Sequence, residues 1–291
     1  MVKSKKRGAM VFTFVAGTAA IAAAAAVLLA GRGHDGPAAT ATGLPNTPDY
    51  HSLLVSPTNP DELVLGTHSG LFRSRDGGRT WRAAGADGSD AMNLARTSAA
   101  TWLAGHDVLM KSTDGGRSWH DVEPTGLPGL DVHGFAVDPR NPQHVWAAIA
   151  GQGLYRSGDG GASFELVSTE VGGGVMALAV SSDGRLLAGD MQRGLLQSRD
   201  GRSWKVLLRA QLAGLAIDPR DPRRILATGP GVLLSTDGGV KWRQTLRLDQ
   251  GAGPVAWAPS DPGRAYVVGF DRTLYTTGDG GISWRLVAGG E

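Results

Sequence analysis

The chain has 291 residues, no cysteine and a formal net charge of +2. Its positive charge is concentrated in residues 1–31, where three lysines and one arginine give +4 without any acid and leave −2 for the rest of the chain. Nucleic-acid binding needs a basic face, so a body of this charge is not expected to bind nucleic acid. The lack of cysteine also excludes a disulfide framework.

The N-terminal segment has the layout of a membrane anchor. Residues 1–8 are basic, and residues 9–31 are uncharged and rich in alanine. A membrane span needs about 20 apolar residues and a signal-peptide core about 7–15, so the length favours an uncleaved anchor over a cleaved signal peptide, with a buried core helix as the third alternative. Basic residues mark the cytoplasmic side. We therefore expect the folded body outside the cell membrane, or secreted if the leader is cleaved.

Two further ranges complete the predicted domain organisation. Residues 32–45 are small and polar, include proline and show no apolar period, which is typical of a flexible linker. Residues 46–291 form the predicted folded part. Short β-forming runs and the lack of a long amphipathic helical pattern indicate one large all-β domain.

A string of eight residues, "SRDGGRTW" at residues 74–81, occurs in six copies in the folded part, of which the copy at 198–204 is one residue shorter. The other copies occupy residues 112–119, 157–164, 198–204, 235–242 and 277–284. Successive aspartates of these strings are 38, 45, 41, 37 and 42 residues apart. A period near 40 with short strands predicts a single β-propeller of six blades, each with four antiparallel strands.

A second repeated string, "SPTNP" at 56–60 in the first repeat, marks the turn between the first two strands of a blade. It returns at 138–142, 218–222 and 258–262, whereas the fourth repeat has "SSDGR" and the second lacks it. The strand order puts these turns and the octapeptides on one face, with the remaining loops on the opposite face. Every repeat contains its own four strands, so the ring is expected to close without strand exchange, although residues 40–50 could add an edge strand.

Each octapeptide is predicted to be a structural turn. Its aspartate can accept backbone N–H groups, its glycines allow positive φ, and its last residue is a large aromatic that can be buried. A calcium loop needs several oxygen ligands, whereas each string offers one carboxylate. The residues with this predicted structural role are Asp76, Asp114, Asp159, Asp200, Asp237, Asp279, Trp81, Trp119, Phe164, Trp204, Trp242 and Trp284.

These strings are similar to the BNR or Asp-box repeat, Ser-x-Asp-x-Gly-x-Thr-Trp, of sialidase-like β-propellers. The similarity spans about residues 70–291, and the run at 51–81 resembles short exported bacterial Asp-box proteins that are labelled glycosyl hydrolases. The same box occurs in sialidases, xyloglucan hydrolases, sortilin-type receptors and a photosystem assembly factor. The resemblance therefore implies a fold and leaves the function open.

Sialidase chemistry does not transfer with the repeat. Resemblance to a sialidase would imply three arginines that bind the substrate carboxylate, a tyrosine nucleophile helped by a glutamate, and an aspartate that acts as general acid and base. The region that matches the first of these arginines, residues 46–55, contains none. Of the four tyrosines, only Tyr50 is predicted to lie near the central opening.

The loops opposite the boxes are predicted to bring polar side chains to one rim of the central channel, which we call the mouth. Ligand-binding candidates on this rim are His51, His68, His106, His133, Arg193 and Arg272. A sugar, a peptide end or a transition metal suits such groups, although any single histidine could simply hydrogen-bond loop backbone. The candidate catalytic acids are Asp107, Asp131, Asp190 and Asp271, since glycosidases need two facing carboxylates. No metal and no cofactor is predicted.

From these features we expect a monomeric, membrane-tethered, extracytoplasmic propeller that binds carbohydrate or protein at its mouth without catalysis. The alternative is a glycoside hydrolase acting on extracellular or cell-surface glycans. Five of the eight tryptophans lie in boxes and the other three inside strands, which argues against an aromatic sugar platform.

Overall fold

The computed structural model describes residues 41–289. The predicted basic segment 1–8, the predicted anchor or signal peptide 9–31 and most of the predicted linker 32–45 lie outside this range. Within residues 41–289 all regular structure is β, as expected for an all-β domain. Among these residues no helix is long and apolar enough to cross a bilayer.

The described chain forms 25 strands. Strand β1 is Ala41–Thr42. Blade 1 contains β2 (Tyr50–Val55), β3 (Leu63–Thr67), β4 (Gly70–Ser74) and β5 (Thr80–Ala83). Blade 2 contains β6 (Asn93–Arg96), β7 (Thr101–Gly105), β8 (Val108–Ser112) and β9 (His120–Asp121). Blade 3 contains β10 (Val132–Val137), β11 (Val145–Ile149), β12 (Gly153–Ser157) and β13 (Glu165–Ser168).

The remaining blades follow the same order. Blade 4 contains β14 (Val175–Val180), β15 (Leu186–Asp190), β16 (Gly194–Ser198) and β17 (Lys205–Leu208). Blade 5 contains β18 (Gly214–Ile217), β19 (Ile225–Thr228), β20 (Gly231–Ser235) and β21 (Arg243–Arg247). Blade 6 contains β22 (Ala252–Trp257), β23 (Ala265–Gly269), β24 (Leu274–Thr277) and β25 (Arg285–Ala288).

Each blade is an antiparallel sheet whose strands follow in sequence order, which confirms the predicted six-bladed propeller. The first strands of the blades are innermost, and each contacts the first strands of both neighbouring blades around the ring. The second strands are buried along their whole length, because their continuous apolar runs pack between two blades. The fourth strands are largely exposed and form the outer edge of the ring.

Backbone hydrogen bonds define the two faces of the ring. On one face the boxes meet the turns between first and second strands, for example where the N–H of Gly77 donates to the carbonyl of Asp61 at 2.8 Å. On the opposite face the turns between second and third strands meet the connections between blades, as where the N–H of Ala91 donates to the carbonyl of Thr67 at 2.9 Å. This opposite face carries the mouth, as the strand order predicts.

The ring closes between blades 6 and 1 without strand exchange. Strand β1 pairs with β5 and widens blade 1, so the expected edge strand is present, inside the range predicted as linker. Across the closing seam, Arg264 Nη1 lies 2.7 Å from Asp61 Oδ1, and the Tyr266 hydroxyl donates to the carbonyl of Pro60 at 3.0 Å. A shared apolar cluster that includes the fully buried Trp81 lies beneath these contacts.

Candidate functional site

The box aspartates are engaged within their own turns. The Asp76 carboxylate accepts the hydroxyl of Ser74 at 2.8 Å, the N–H groups of Arg79 and Thr80 at 3.0 and 2.9 Å, and the hydroxyl of Thr80 at 2.6 Å. The other five aspartates each accept two backbone N–H groups of their own turn and the hydroxyl two residues upstream; in the shorter Asp200 box the N–H groups are two and three residues on instead of three and four. This arrangement leaves the boxes no carboxylate directed at a ligand.

These hydrogen bonds favour the ionised carboxylate. They lower the pKa of all six box aspartates below the usual range for the side chain. For Asp76, burial acts in the opposite direction, but the bonds from Thr80, Ser74 and Arg79 outweigh it. For Asp200, the backbone N–H of Ser203 contributes most and lowers the pKa to about 2.

The six box aromatics differ in how deeply they are buried. Trp81 and Phe164 are fully buried in the packing between blades. The other four are half-buried, and several of their indole N–H groups donate to nearby groups, as Trp204 Nε1 does to the carbonyl of Gly201 at 3.0 Å.

On the opposite face the four candidate histidines come together across blades 1 to 3. His51 lies on β2 and His133 on β10, while His68 and His106 occupy the turns β3–β4 and β7–β8. The rings of His51 and His68 are 4.3 Å apart and those of His106 and His133 are 5.2 Å apart, in each case edge to face. The mouth therefore carries two histidine pairs.

The first pair is joined by Asp49, which directly precedes β2. His68 Nε2 lies 3.2 Å from Asp49 Oδ2, and the ligand atoms of Asp49, His51 and His68 all lie within 4.8 Å of one another. Burial lowers the pKa of His51, and the neighbouring rings of His68 and His106 add to this effect, although Asp90 and Asp49 oppose it.

The second pair is joined by Asp131, which directly precedes β10. Asp131 Oδ1 lies 3.3 Å from His106 Nε2 and 3.2 Å from His133 Nε2, and these two nitrogens are 3.2 Å apart. Among the candidate acids predicted from the sequence, Asp131 is the one that the structure places within this histidine cluster.

Asp90 links the two pairs. It lies in the connection between β5 and β6 with only 12% of its side chain exposed. Its Oδ2 is 2.6 Å from His106 Nδ1, and its Oδ1 is 3.0 Å from His68 Nδ1 and 3.6 Å from His51 Nε2. Asp49 and Asp90 are not among the candidates predicted from the sequence. Asp49 directly precedes the first strand of its blade, as Asp131 does, and that shared position was an available signal. Asp90 lies within the β5–β6 connection, three residues before β6, and has no such signal.

Two glycines allow the Asp90 connection to lie over the strand ends. A Cβ at position 105 would overlap the carbonyl oxygen of Asp90, and a Cβ at position 66 would overlap the hydroxyl of Ser52. That hydroxyl donates to the carbonyl of Ala91 at 2.7 Å and fixes the connection in place. Close backbone approach is a common reason for a glycine inside a strand.

The remaining candidates lie apart from the histidines. Asp190 is buried, and its Oδ1 accepts the N–H groups of Gln192 and Arg193 at 2.9 Å. Asp271 accepts the hydroxyl of Thr273 within its own turn. These two carboxylates therefore stabilise loops of blades 4 and 6.

The last three candidates, Asp107, Arg193 and Arg272, and the tyrosine Tyr50 each contact groups outside the histidine cluster. Asp107 is exposed with a φ of +56°, and its N–H donates to the carbonyl of Leu130 at 3.1 Å. Arg193 reaches Glu170 Oε1 at 3.6 Å, and Arg272 donates to the side-chain oxygen of Asn46. The Tyr50 hydroxyl donates to the carbonyl of Pro45 at 2.6 Å.

An apolar cleft occupies the other half of the mouth, between blades 4, 5 and 6. It has a volume of 650 Å³ and its lining includes Met191, Leu212, Pro230, Leu248 and Phe270. Met191 and Phe270 are 51% and 48% exposed, which is unusual for large apolar side chains. Of the exposed large apolar residues in the described part of the chain, these two lie in turns on the mouth face.

Tryptophan and tyrosine, the side chains that most often stack on sugars, are not exposed on the described part of the mouth face. All eight tryptophans and all four tyrosines fall within residues 41–289, and every one is buried or half-buried. Phe270 is the exposed aromatic of the cleft.

The sequence family described as Photosynthesis system II assembly factor YCF48 matches residues 52–286. The chain belongs to this family. Among curated proteins, no sequence matches the chain significantly.

Solved structures with the same fold include both an enzyme and members of the YCF48 group. A GH74 xyloglucanase from Xanthomonas campestris matches with a TM-score of 0.61 and 20% identity over 86% of this chain and 47% of that one. YCF48 from Cyanidioschyzon merolae matches with a TM-score of 0.55 and 18% identity over 86% and 88% of the two chains. YCF48 bound to D1 peptide gives 0.55 and 19% over 86% and 84%.

These matches confirm the BNR-type propeller, and identities of this size show a shared fold alone. The chain spans about half the length of the xyloglucanase, with 47% of that enzyme covered.

Proposed function

We propose that this protein is a binding propeller that holds a segment of a partner protein across its mouth, without catalysis. The main support for this proposal is the apolar cleft, where the side chains of Met191 and Phe270 are exposed at the mouth. Burying a large apolar side chain contributes about 1.5–3 kcal/mol, so an apolar residue of the partner seated between these two would anchor the segment.

The cleft is bordered by groups that suit a peptide backbone. Gln211, Gln244, Gln250 and Arg247 belong to its lining and offer side-chain amide and guanidinium donors. A mostly apolar lining with a few polar groups is the usual composition of a ligand site. The half-buried tryptophans and tyrosines, by contrast, leave little aromatic surface for a sugar.

A hydrolytic function has less support from the same face. Retaining glycosidases need two carboxyl groups about 5–5.5 Å apart and inverting ones about 6.5–9.5 Å. Asp190 and Asp271 are engaged in loop hydrogen bonds, and Asp131 faces His106 and His133.

The family supports a protein ligand. One YCF48 structure is described as bound to D1 peptide, and it shares this chain's fold over most of its length. We extend the proposal to the location predicted from residues 1–31: the propeller is tethered to a membrane and lies outside the cytoplasm, where its partner would be an exported or membrane protein.

The test uses full-length protein, purified in mild detergent and immobilised, and a random-peptide phage library as the probe. Peptides that are enriched are synthesised, and their binding to wild type, Phe270→Ser and Met191→Ser is measured by fluorescence anisotropy. We expect affinity at least about tenfold lower for Phe270→Ser, because about 1.4 kcal/mol of apolar contact corresponds to that factor.

Ile282→Ser is the matched control, since Ile282 is 54% exposed on the opposite face. Its affinity should stay within about twofold of wild type. Peptides that bind Phe270→Ser as well as wild type would refute the cleft as the site. Turnover of a fluorogenic glycoside that Asp107→Ala or Asp131→Ala abolishes would refute the non-catalytic function.

A further inference from the structure

We propose that His106, Asp131 and His133 form a binding site for one divalent transition-metal ion of the zinc type. The site lies on blades 2 and 3, apart from the apolar cleft, and the proposal does not depend on the function proposed above. It departs from the expectation, drawn from the sequence, that no metal is bound.

The three candidate ligand atoms form a nearly equilateral triangle. Its sides are 3.3 Å from His106 Nε2 to Asp131 Oδ1, 3.2 Å from His133 Nε2 to Asp131 Oδ1, and 3.2 Å between the two nitrogens. A tetrahedral zinc ion holds nitrogen and oxygen ligands at about 2.0–2.2 Å, which separates the ligand atoms by about 3.3–3.5 Å. The side chains are therefore already spaced as one face of such a tetrahedron.

With both imidazoles neutral, protons alone satisfy this triangle only in part. His106 Nδ1 faces Asp90 Oδ2 at 2.6 Å, and a carboxylate only accepts, so the ring proton of neutral His106 lies on Nδ1. Its Nε2 lone pair then points towards both Asp131 and His133. A proton on His133 Nε2 can serve one of these neighbours, whereas a cation serves all three atoms together.

Asp90 gives His106 the support that a metal-binding histidine usually has. Such a ring commonly donates its second N–H to a carboxylate, which fixes the ring orientation and raises the basicity of the ligating nitrogen. Asp90 has only 12% of its side chain exposed, so its position is well fixed. Because Gly105 has no Cβ, the backbone of Asp90 can lie against the end of β7, next to His106.

Charge and access also favour a cation. With neutral imidazoles, the cluster carries the carboxylates of Asp49, Asp90 and Asp131 and hence a negative excess. The side chains of His106 and Asp131 are 45% and 51% exposed, so an ion can enter from solvent. Three protein ligands with an open fourth position are typical of zinc sites that hold water or an exogenous ligand.

The neighbouring triad of Asp49, His51 and His68 is less closely arranged. His68 Nε2 lies 3.2 Å from Asp49 Oδ2, but His51 Nε2 lies near Asp90, at 3.6 Å from its Oδ1, which is outside the triad. We therefore assign one ion to the His106, Asp131 and His133 triad.

The test measures metal uptake by full-length, untagged protein after removal of metals with a chelator. Co²⁺ replaces zinc as a spectroscopic probe because tetrahedral nitrogen and oxygen coordination gives visible absorption bands, and equilibrium dialysis with Zn²⁺ gives the stoichiometry. The variants are His133→Ala, His133→Gln, Asp131→Ala and Asp90→Asn. The control is His120→Ala, because His120 is exposed on the outer strand of blade 2 and outside the cluster.

We expect one equivalent of metal in wild type and in His120→Ala, and none in His133→Ala, His133→Gln or Asp131→Ala. Asp90→Asn should retain the equivalent with affinity about 10–100-fold lower, as for other outer carboxylates. Circular dichroism of each metal-free variant must match wild type. No uptake by wild type would overturn the proposal, as would wild-type uptake by a correctly folded Asp131→Ala or His133→Gln.

Discussion

At the scale of single residues, the box aspartate closes a hairpin with one side chain. Asp76 accepts four hydrogen bonds from the three residues Ser74, Arg79 and Thr80. Two of these bonds come from backbone N–H groups that the turn itself leaves unpaired. Hydrogen bonds to a charged group are stronger than neutral ones, which explains why a single carboxylate can fix an otherwise glycine-rich turn.

We predict that Asp76→Ala lowers the free energy of unfolding by about 1–3 kcal/mol, because the backbone N–H groups of Arg79 and Thr80 lose their acceptor. Thermal unfolding at pH 7 measures the change. Asp121→Ala is the surface control, since Asp121 is exposed on β9, the outer strand of blade 2. Its free energy of unfolding should stay within about 0.5 kcal/mol of wild type. An Asp76→Ala variant as stable as wild type would contradict the role of the box.

The pH dependence of the stability of wild type and Asp76→Ala tests whether the ionised carboxylate is responsible for the difference. The folded-state pKa of Asp76 is lowered, so its stabilising contribution is complete above the unfolded pKa near 3.8 and is lost as pH falls through the folded value. The difference in stability between wild type and Asp76→Ala should thus be constant from pH 7 to pH 5 and shrink below about pH 4. A difference that already shrinks near pH 6 would point to a histidine instead.

Residue types and positions predicted much of the mouth. The strand order was enough to bring His51, His68, His106 and His133 to one face, where the structure has them together. Asp90 was missed because its place depends on the path of a connecting loop, which non-local backbone contacts determine. The exposed Met191 and Phe270 were missed for a related reason, since sequence does not show which apolar loop residues stay uncovered.

At the scale of the element, the end of strand β7 shows how a glycine positions a neighbouring loop. Gly105 is the last residue of β7 and directly precedes His106. The loop that carries Asp90 passes so close that the position has no room for a side chain, and the obstacle is backbone. One residue therefore sets both the path of the β5–β6 connection and the contact between Asp90 and His106.

We predict that Gly105→Ala destabilises the protein by about 1–3 kcal/mol, the usual cost of inserting a methyl group into close-packed structure. Denaturant unfolding followed by tryptophan fluorescence measures it. Gly158→Ala is the matched control, because a Cβ there has nothing within 4 Å and φ is not positive. Equal stability of the two variants would show that the Asp90 connection can move without cost.

At the scale of the whole molecule, recurring arginines join successive blades on the box face. Each directly precedes the second strand of its blade and reaches a carbonyl or carboxylate of the next blade. Arg185 reaches the carbonyl of Gly238 at 3.1 Å, Arg224 reaches that of Pro262 at 3.0 Å, and Arg264 reaches Asp61 at 2.7 Å. The last of these contacts lies at the closing seam, where no strand is exchanged.

The regular period predicted the number of blades because each repeat folds from its own residues. It could not predict the means of closure, because closure depends on side-chain contacts between the first and last blades, such as that between Asp61 and Arg264. Asp61 belongs to the first blade and Arg264 to the last, 203 residues apart in sequence. Strand β1 adds to blade 1 and leaves blade 6 to be held by side chains.

We predict that the seam between blades 6 and 1 is where the ring opens first. Between other neighbours the chain itself joins the blades, whereas the seam depends on packing and on side-chain contacts such as those of Arg264, Tyr266 and Arg272. Arg264→Ala should therefore raise amide hydrogen exchange in blades 1 and 6 while blades 3 and 4 stay protected, since local opening follows the weakest contacts. Arg224→Ala is the matched control, because it removes the equivalent contact between covalently connected blades 5 and 6, and it should raise exchange less. Mass spectrometry of exchanged, digested protein gives the protection of each blade, and equal effects of the two variants would mean that covalent continuity contributes little to holding the ring closed.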